Sequence, residues 1–122
     1  MEEIEKFIND NSLDALSTPT GLHYVIEQEG NGEHPTIDDV VTVHYHGYLT
    51  NGDVFDSSVE RNQPISFGLR QVIQGWQEGI PLFSKGGKGK LLIPSHLGYG
   101  SQSQGGIPAN SVLIFDVELI DF

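Results

Sequence analysis

Aromatic side chains, rather than nucleophiles or metal ligands, are the residues of this sequence whose types and spacing point to a functional site. Trp76 is the only tryptophan and follows Gly75 in a candidate helix, and Tyr99 lies between two glycines in a candidate loop. Taken singly, an aromatic residue more often fills a core. An apolar, aromatic pocket is nevertheless the usual form of a site for a small ligand or a peptide. The sequence predicts such a pocket, formed by Tyr45, Phe55, Phe67, Trp76, Tyr99 and Phe115.

Hydrolytic and metal chemistry are the two alternatives that the polar residues raise. Ser57 and Ser58 follow an aspartate and the chain has five histidines, but it has no Gly-x-Ser-x-Gly motif and no cysteine. His44 and His46 lie two residues apart on a candidate strand, without a recognised spacing of metal ligands. We interpret them as solvent-facing strand residues, and we expect neither a serine hydrolase nor a metal site.

Composition excludes several classes of partner. The chain has 122 residues, which indicates one domain, and its formal charge is −11. Such a surface repels phosphate backbones and anionic lipids, so we expect no nucleic-acid partner and no membrane partner. Residues 1–10 do not resemble a signal peptide, so the sequence as written predicts a cytoplasmic protein. A periplasmic location follows instead if a signal was removed from a longer precursor.

The N-terminal residues predict a short helical extension. Ile4, Phe7 and Ile8 share one helical face among charged residues, and a connector rich in Ser, Thr and Pro follows. We therefore divide the chain into an N-terminal extension, residues 1–20, and a domain, residues 21–122. Three roles for the helix are open: packing on the domain, binding a partner subunit, or being the remnant of a longer extension.

The remaining elements predict an α+β fold in which an antiparallel sheet carries one short helix on its face. Residues 40–49 alternate clearly, which places Tyr45 on the core face and His44 and His46 on the other face. Asn51-Gly52 is typical of a tight hairpin turn in which both residues take positive φ. The helix is expected within residues 72–80 and a long loop within residues 98–111. Strands are expected at residues 22–27, 40–49, 53–58, 64–69, 88–93 and 111–120.

Ordered motifs connect the chain to a known family. They are Val43-His44-Tyr45-His46-Gly47-Tyr48-Leu49, Phe55-Asp56-Ser57-Ser58, Arg61-Asn62-Gln63-Pro64, Val72-Ile73-Gln74-Gly75-Trp76, Leu97-Gly98-Tyr99-Gly100, Ile107-Pro108 and Phe115-Asp116-Val117-Glu118-Leu119. From about residue 21 onward the chain resembles the FKBP family of peptidyl-prolyl cis–trans isomerases. The short segment between Leu69 and Val72 resembles that of bacterial members of the macrophage-infectivity-potentiator type.

The resemblance implies a twisted antiparallel sheet of about five strands wrapped around one short helix. It also implies an isomerase that assists protein folding by accelerating rotation of X–Pro bonds, without a cofactor. Its expected partners are proline-containing polypeptides and the macrolide inhibitors of the family. The residues implied as catalytic are Asp56, Ile73, Trp76 and Tyr99; those implied to bind substrate are Tyr45, Phe55, Arg61, Phe67, Val72, Ile107 and Phe115.

Within this implied site each group has a distinct role. Trp76 forms the floor, while the Tyr99 hydroxyl and the Ile73 N–H donate hydrogen bonds to substrate carbonyls. Asp56 lies at the edge, held by Arg61 and the Tyr45 hydroxyl; a purely structural Asp56–Arg61 ion pair is an equally favoured interpretation.

Three departures from the family pattern bear on substrate and inhibitor preference. Ile65 stands where the family often has an aromatic residue, and Pro108-Ala109 replaces Pro-Pro. The segment 101–106 is rich in Gln and Gly and offers no large apolar lip. Two other functions are weighed beside catalysis: a module that only binds proline-containing segments, and a chaperone that assembles through the N-terminal helix. Because that helix has only about ten residues, we expect a monomer.

Overall fold

The computed structural model describes residues 2–102 and 107–122, which form two α-helices and seven strands. The helices are α1 (Glu2–Asp10) and α2 (Gln74–Gly79). The strands are β1 (Leu16–Ser17), β2 (His23–Gln28), β3 (Val40–Leu49), β4 (Val54–Ser57), β5 (Ile65–Gly68), β6 (Lys88–Ile93) and β7 (Leu113–Asp121). In the described parts of the chain, no helix is long and apolar enough to cross a membrane.

All strands pair antiparallel in one sheet, in the order β1-β2-β6-β7-β3-β4, and β5 also pairs with β3. The predicted α+β class is confirmed. The described sheet has seven strands where about five are expected. One of the seven, the two-residue β1, lies inside the predicted connector. It was not predicted, because so short a strand shows no alternation of polar and apolar residues in the sequence.

Strand β3 is the central strand of the sheet, because it pairs with three other strands. Its first half pairs with β5 and its second half with β4, while β7 pairs along nearly its whole length. The alternation predicted for β3 is confirmed: Val41, Val43, Tyr45 and Leu49 are buried on the inner face. The sheet's inner face therefore presents side chains from β3 and β7 toward α2.

Two glycines allow α2 to lie close against β6. A methyl group on Gly75 would lie 2.6 Å from Cγ2 of Ile93, and one on Gly79 would lie 2.6 Å from Cδ2 of Leu91. Real Cβ atoms do not approach so closely in a packed interior. The helix is only six residues long, beginning after Ile73, whose extended backbone turns the chain into it. Its short length and its spacing from the sheet place Trp76 inside the core, 5% exposed.

Helix α1 covers the outer face of the sheet. Ile4 is fully buried there in a small core with Val25, Leu92 and Ile114. Phe7 and Ile8, the other residues of the predicted helical face, pack against the same group. Of the three roles left open by the sequence, packing on the domain is the one that the structure shows.

The connector after α1 is tied to the opposite side of the domain. Thr18 Oγ1 donates a hydrogen bond of 2.7 Å to Glu78 Oε2, and Thr20 Oγ1 lies 2.8 Å and 2.7 Å from the two Glu78 oxygens. His96 Nε2 lies 2.8 Å from the Thr20 carbonyl oxygen. Because Glu78 belongs to α2, the connector holds the helix from its outer side while β6 holds it from within.

The turn between β3 and β4 differs from the expectation. Gly52 has φ of 95°, but Asn51 does not take positive φ. The Leu49 N–H donates to the Asp53 carbonyl at 2.9 Å, which closes a three-residue loop instead of a two-residue turn. A three-residue hairpin needs glycine only at its last position, so Asn51 is free to bond Asp53 with its side chain.

The spacing of α2 from β6 generates a prediction on stability. Gly75→Ala is expected to destabilise the protein by about 1–2 kcal/mol, because overpacking in a core outweighs the gain in helix propensity. Urea unfolding measures the change. Gly68→Ala is the matched control, since its methyl group meets only the flexible Gln71 side chain, at 3.2 Å. Equal unfolding free energies for both variants would contradict the close-packing argument.

Candidate active site

An apolar cavity of about 550 Å³ opens between α2, the inner face of the sheet and the chain around Tyr99. Its volume lies within the range of small-ligand sites. Every residue predicted to form the site lines it except Arg61, which lies behind Asp56. The lining residues are Tyr45, Phe55, Asp56, Ile65, Phe67, Gln71, Val72, Ile73, Trp76, Tyr99, Ile107 and Phe115.

Trp76 is held by three aromatic neighbours. Tyr45 and Phe115 meet the indole edge-to-face, with ring centroids 5.1 Å and 4.9 Å away, and Phe67 is tilted against it at 5.2 Å. Such pairs add packing energy beyond the area that they bury. The buried indole Nε1 has no hydrogen-bond acceptor among the described residues. The floor of the cavity is therefore apolar and packed on three sides by aromatic rings.

Gly47 makes room for one wall of the cavity. A methyl group there would lie 2.8 Å from Cε1 of Phe115 and 2.9 Å from Cζ of Phe55. These two rings pack edge-to-face with centroids 5.4 Å apart. The absence of a side chain at residue 47 thus lets both rings lie directly against β3.

A bulge in β4 turns two consecutive side chains toward the cavity. Gly47 pairs with Asp56, whereas Tyr48 pairs with Val54, so Phe55 has no opposite residue on β3. In a regular strand, neighbouring side chains point to opposite faces. The extra residue relaxes this alternation, as bulges beside active sites commonly do. Phe55 and Asp56 therefore both line the cavity.

The Asp56 carboxylate is fixed by two donors. Arg61 Nη1 donates to Asp56 Oδ1 and Tyr45 Oη donates to Oδ2, each at 2.6 Å, while Arg61 Nη2 lies 3.3 Å from Tyr45 Oη. Burial alone acts to raise the pKa of Asp56, but the hydrogen bonds from Arg61 and Tyr45 outweigh it and hold the pKa below its usual value. Burial and the adjacent carboxylate raise the pKa of Tyr45. Asp56 is therefore a fixed negative charge at neutral pH and not a proton donor.

Two donors at the cavity have no protein acceptor among the described residues. The Ile73 carbonyl accepts hydrogen bonds from the N–H groups of Trp76 and Gln77, but the Ile73 N–H donates none within those residues. Tyr99 is 37% exposed, and its hydroxyl is likewise without a bond to the described chain. Both donors are therefore available to a carbonyl-bearing ligand. Their assignment as substrate donors stays a prediction.

The histidines and serines beside the site form structural pairs. His44 Nδ1 lies 2.7 Å from Ser58 Oγ, and His46 Nδ1 lies 2.7 Å from Ser57 Oγ. Ser58 Oγ also accepts the Tyr45 N–H at 2.7 Å. The histidines are half-buried and bonded, instead of simply facing solvent as predicted. Within residues 2–102 and 107–122, no three His, Asp or Glu side chains converge as metal ligands.

Of the two further lining residues, Ile65 is expected from the sequence only as a departure from the family pattern that thins one wall, whereas Gln71 is absent from the predicted site. Ile65 lies two residues before Phe67 on β5, so strand alternation gave a signal for it. Gln71 is an exposed residue before Val72, and no pattern in the sequence marks it. Residues 103–106 lie outside the described parts of the chain, so the expectation that segment 101–106 offers no apolar lip stays a prediction.

These features define a small α+β domain with a preformed aromatic pocket on the inner face of its sheet. Residues 31–120 match the family described as FKBP-type peptidyl-prolyl cis-trans isomerase. The chain belongs to this family, and the resemblance found in the sequence is confirmed.

Individual relatives agree with this membership. The chain is 53% identical over 104 residues to the FKBP-type peptidyl-prolyl cis-trans isomerase FkpA of Aeromonas hydrophila, covering 85% of this chain and 39% of that protein. The crystal structure of FkpA from Escherichia coli matches with a TM-score of 0.90 at 47% identity, covering 98% of this chain and 55% of that one. AtFKBP13 matches with a TM-score of 0.80 at 38% identity, over 88% of this chain and 97% of that one. The chain thus spans about half the length, or less, of its FkpA relatives.

The Asp56 environment generates a prediction on titration. Arg61→Met removes the donor on Oδ1, so the pKa of Asp56 is expected to rise toward or above its usual value near 3.8. Because the native pKa is lowered, the bonds of the carboxylate stabilise the fold above the unfolded pKa, and this contribution is lost as pH falls through the native pKa. Carboxyl ¹³C NMR titration of both proteins measures the shift.

Arg70→Met is the matched control for this titration. Arg70 forms an exposed pair with Asp38 at 2.7 Å, away from Asp56. The Arg70 variant should leave the Asp56 titration unchanged. An Asp56 pKa that does not move in the Arg61 variant would show that Tyr45 and the backbone alone hold the carboxylate.

Proposed function

We propose that the chain is a peptidyl-prolyl cis–trans isomerase that acts on exposed X–Pro bonds in unfolded or flexible polypeptides. The observation that carries the proposal is the aromatic cavity over Trp76, with a fixed carboxylate at its edge and two hydrogen-bond donors that have no acceptor among the described residues. Membership of the family of isomerases supports the same conclusion.

The reaction requires rotation about a partial double bond. Resonance in the amide gives a barrier of about 18–20 kcal/mol, and X–Pro bonds exchange spontaneously over tens to hundreds of seconds. The planar amide carries negative charge on oxygen and positive charge on nitrogen, whereas the twisted amide loses much of this separation. An apolar cavity disfavours the charge-separated planar form relative to the twisted form, which lowers the barrier.

The cavity supports this rotation by holding one side of the bond. The proline ring packs on Trp76, among the rings of Tyr45 and Phe115, while the preceding carbonyl turns. The Tyr99 hydroxyl and the Ile73 N–H hold the flanking backbone in a bent conformation. Only contacts that are stronger in the twisted state accelerate the reaction. Rotation breaks no covalent bond, so a nucleophile or general acid has no necessary role.

Asp56 contributes as a fixed charge. Its two oxygens accept hydrogen bonds from Arg61 and Tyr45, so its position does not depend on substrate. A negative charge at the edge of the cavity acts on the carbonyl dipole of a bound substrate as that carbonyl turns. A preorganised charge of this kind needs no rearrangement as the bond turns.

We also propose that the chain acts as a monomer and that it binds macrolide ligands of the family. The apolar face of α1 is already covered by the sheet of its own chain, with Ile4 fully buried, so little of it remains for a partner subunit. The cavity of about 550 Å³ suits an apolar ligand of drug size. Sedimentation at micromolar concentration tests the first statement, and a dimer would overturn it. Titration of Trp76 fluorescence with a macrolide tests the second, and an unchanged fluorescence would overturn it.

The activity itself is tested by NMR exchange spectroscopy on a short Leu-Pro peptide, with and without the protein. Accelerated cis-to-trans exchange is expected. If the peptide binds but exchanges no faster, the chain is a module that only binds proline-containing segments.

Replacing the cavity floor tests where catalysis occurs. Trp76→Leu should lower kcat/KM by at least about ten-fold, because the proline ring loses its flat apolar contact. Phe83→Leu is the matched control: Phe83 is 1% exposed but does not line the cavity, so its variant loses core packing and keeps activity. Equal losses in the two variants would indicate a general effect on folding.

The Tyr99 hydroxyl is tested separately. Tyr99→Phe keeps the ring and should lower kcat/KM by about two- to ten-fold, the usual value of one net hydrogen bond. Exchange spectroscopy on the same peptide gives the ratio. Unaltered turnover would remove this hydroxyl from the mechanism.

A further inference from the structure

A second cavity adjoins the aromatic one and shares Phe55 and Asp56 with it. It has a volume of about 310 Å³ and a more polar lining. Its lining residues are Val54, Phe55, Asp56, Ser57, Glu60 and Arg61. Because the two cavities share Phe55 and Asp56, a chain that occupies the first passes beside the second.

The charges in this cavity do not cancel. Asp56 and Arg61 form an ion pair at 2.6 Å, and the second outer nitrogen of Arg61 lies 3.3 Å from the Tyr45 hydroxyl. The Glu60 backbone N–H bonds Ser57 Oγ at 3.1 Å, but the Glu60 carboxylate forms no ion pair or hydrogen bond with the described residues. Glu60, an exposed residue of the lining, therefore leaves its carboxylate without a cationic partner from the described chain.

The lining also offers apolar contact beside this carboxylate. Val54 is 43% exposed, and Phe55 contributes to both cavities. Lys and Arg side chains combine an aliphatic stem with a charged end, so they match a surface that is apolar at one point and anionic at another. An acidic side chain meets a less favourable environment, because the guanidinium of Arg61 is already bonded to Asp56 and Tyr45.

We propose that this second cavity is a subsite for a basic side chain, Lys or Arg, close in sequence to the X–Pro bond in the aromatic cavity. The proposal rests on the isomerase function proposed above. In this arrangement the aliphatic stem packs on Val54 and Phe55, and the charged end pairs with Glu60. The subsite selects among X–Pro segments by what flanks the bond, separately from the contacts that grip the proline ring.

The test uses a series of Leu-Pro peptides in which a single Lys replaces Ala at each of the three positions on either side of the dipeptide. One Lys position should raise kcat/KM over the all-Ala peptide by about three-fold, a typical effect of an exposed ion pair. The gain should shrink as ionic strength rises. Glu60→Gln should abolish this gain and leave the all-Ala peptide unaffected.

Two variants distinguish the effect of the subsite on the Lys preference from the effect of the protein's overall negative charge. Glu118→Gln removes the same charge from the outer face of the sheet, and it should keep the position-specific gain. Glu60→Lys should reverse the preference, so that a Glu-containing peptide exceeds its Lys counterpart at that position. A Lys gain that is equal at all positions, or that persists in Glu60→Gln, would overturn the proposal.

The failure of this proposal is distinguishable from the failure of the proposed function. Exchange of the all-Ala peptide reports catalysis alone, whereas the difference between Lys and Ala peptides reports the subsite. If no peptide is accelerated, peptide dissociation constants from NMR titration carry the same comparison. Equal dissociation constants for Lys and Ala peptides at every position would then rule the subsite out.

Discussion

The close approach of α2 to β6 is the constraint on which the rest of the structure depends. Gly75 and Gly79 stand where any side chain would collide with Ile93 or Leu91. Their absence of side chains fixes the depth of the helix, and Trp76, between them, is thereby placed in contact with the rings of β3 and β7. The first turn of the helix also fixes the Ile73 backbone at the cavity. A six-residue helix has little stability of its own, so the sheet determines its position.

The second constraint on the site is the position of the Asp56 carboxylate at the edge of the cavity. The carboxylate of Asp56 faces the cavity because a bulge in β4 interrupts the alternation of the strand, and hydrogen bonds from Tyr45 and Arg61 hold its pKa below the usual value. Tyr45 also packs against Trp76, so one residue connects the apolar floor to the charged edge. Apolar and electrostatic contributions to the cavity are therefore coupled through a single side chain on the central strand.

Much of the fold and of the site could be predicted from the sequence, for physical reasons. The alternation of β3 is regular because its inner face is fully buried, and this alone assigned Tyr45 to the core side. The convergence of the motif residues on one cavity was implied by the family resemblance, since residues as far apart as Tyr45 and Phe115 show no periodicity that joins them. The bulge at Phe55 escaped prediction, since one extra residue changes register without changing composition. The His44–Ser58 and His46–Ser57 pairs and the rim residue Gln71 escaped it too, because they depend on neighbours that only the tertiary structure brings together.

Residues before the start of the family match contribute to the stability of this domain. The family match begins at residue 31, yet β2 (His23–Gln28) lies before it and covers the edge of β6, and Thr18 and Thr20 hold Glu78 on the pocket helix. A protein trimmed to residues 31–120 would expose an unpaired edge, which favours strand-to-strand aggregation, and would release the outer side of α2. The unit that can be transplanted or fused intact is therefore larger than residues 31–120, the part that the family model matches, and its first boundary lies upstream of the connector.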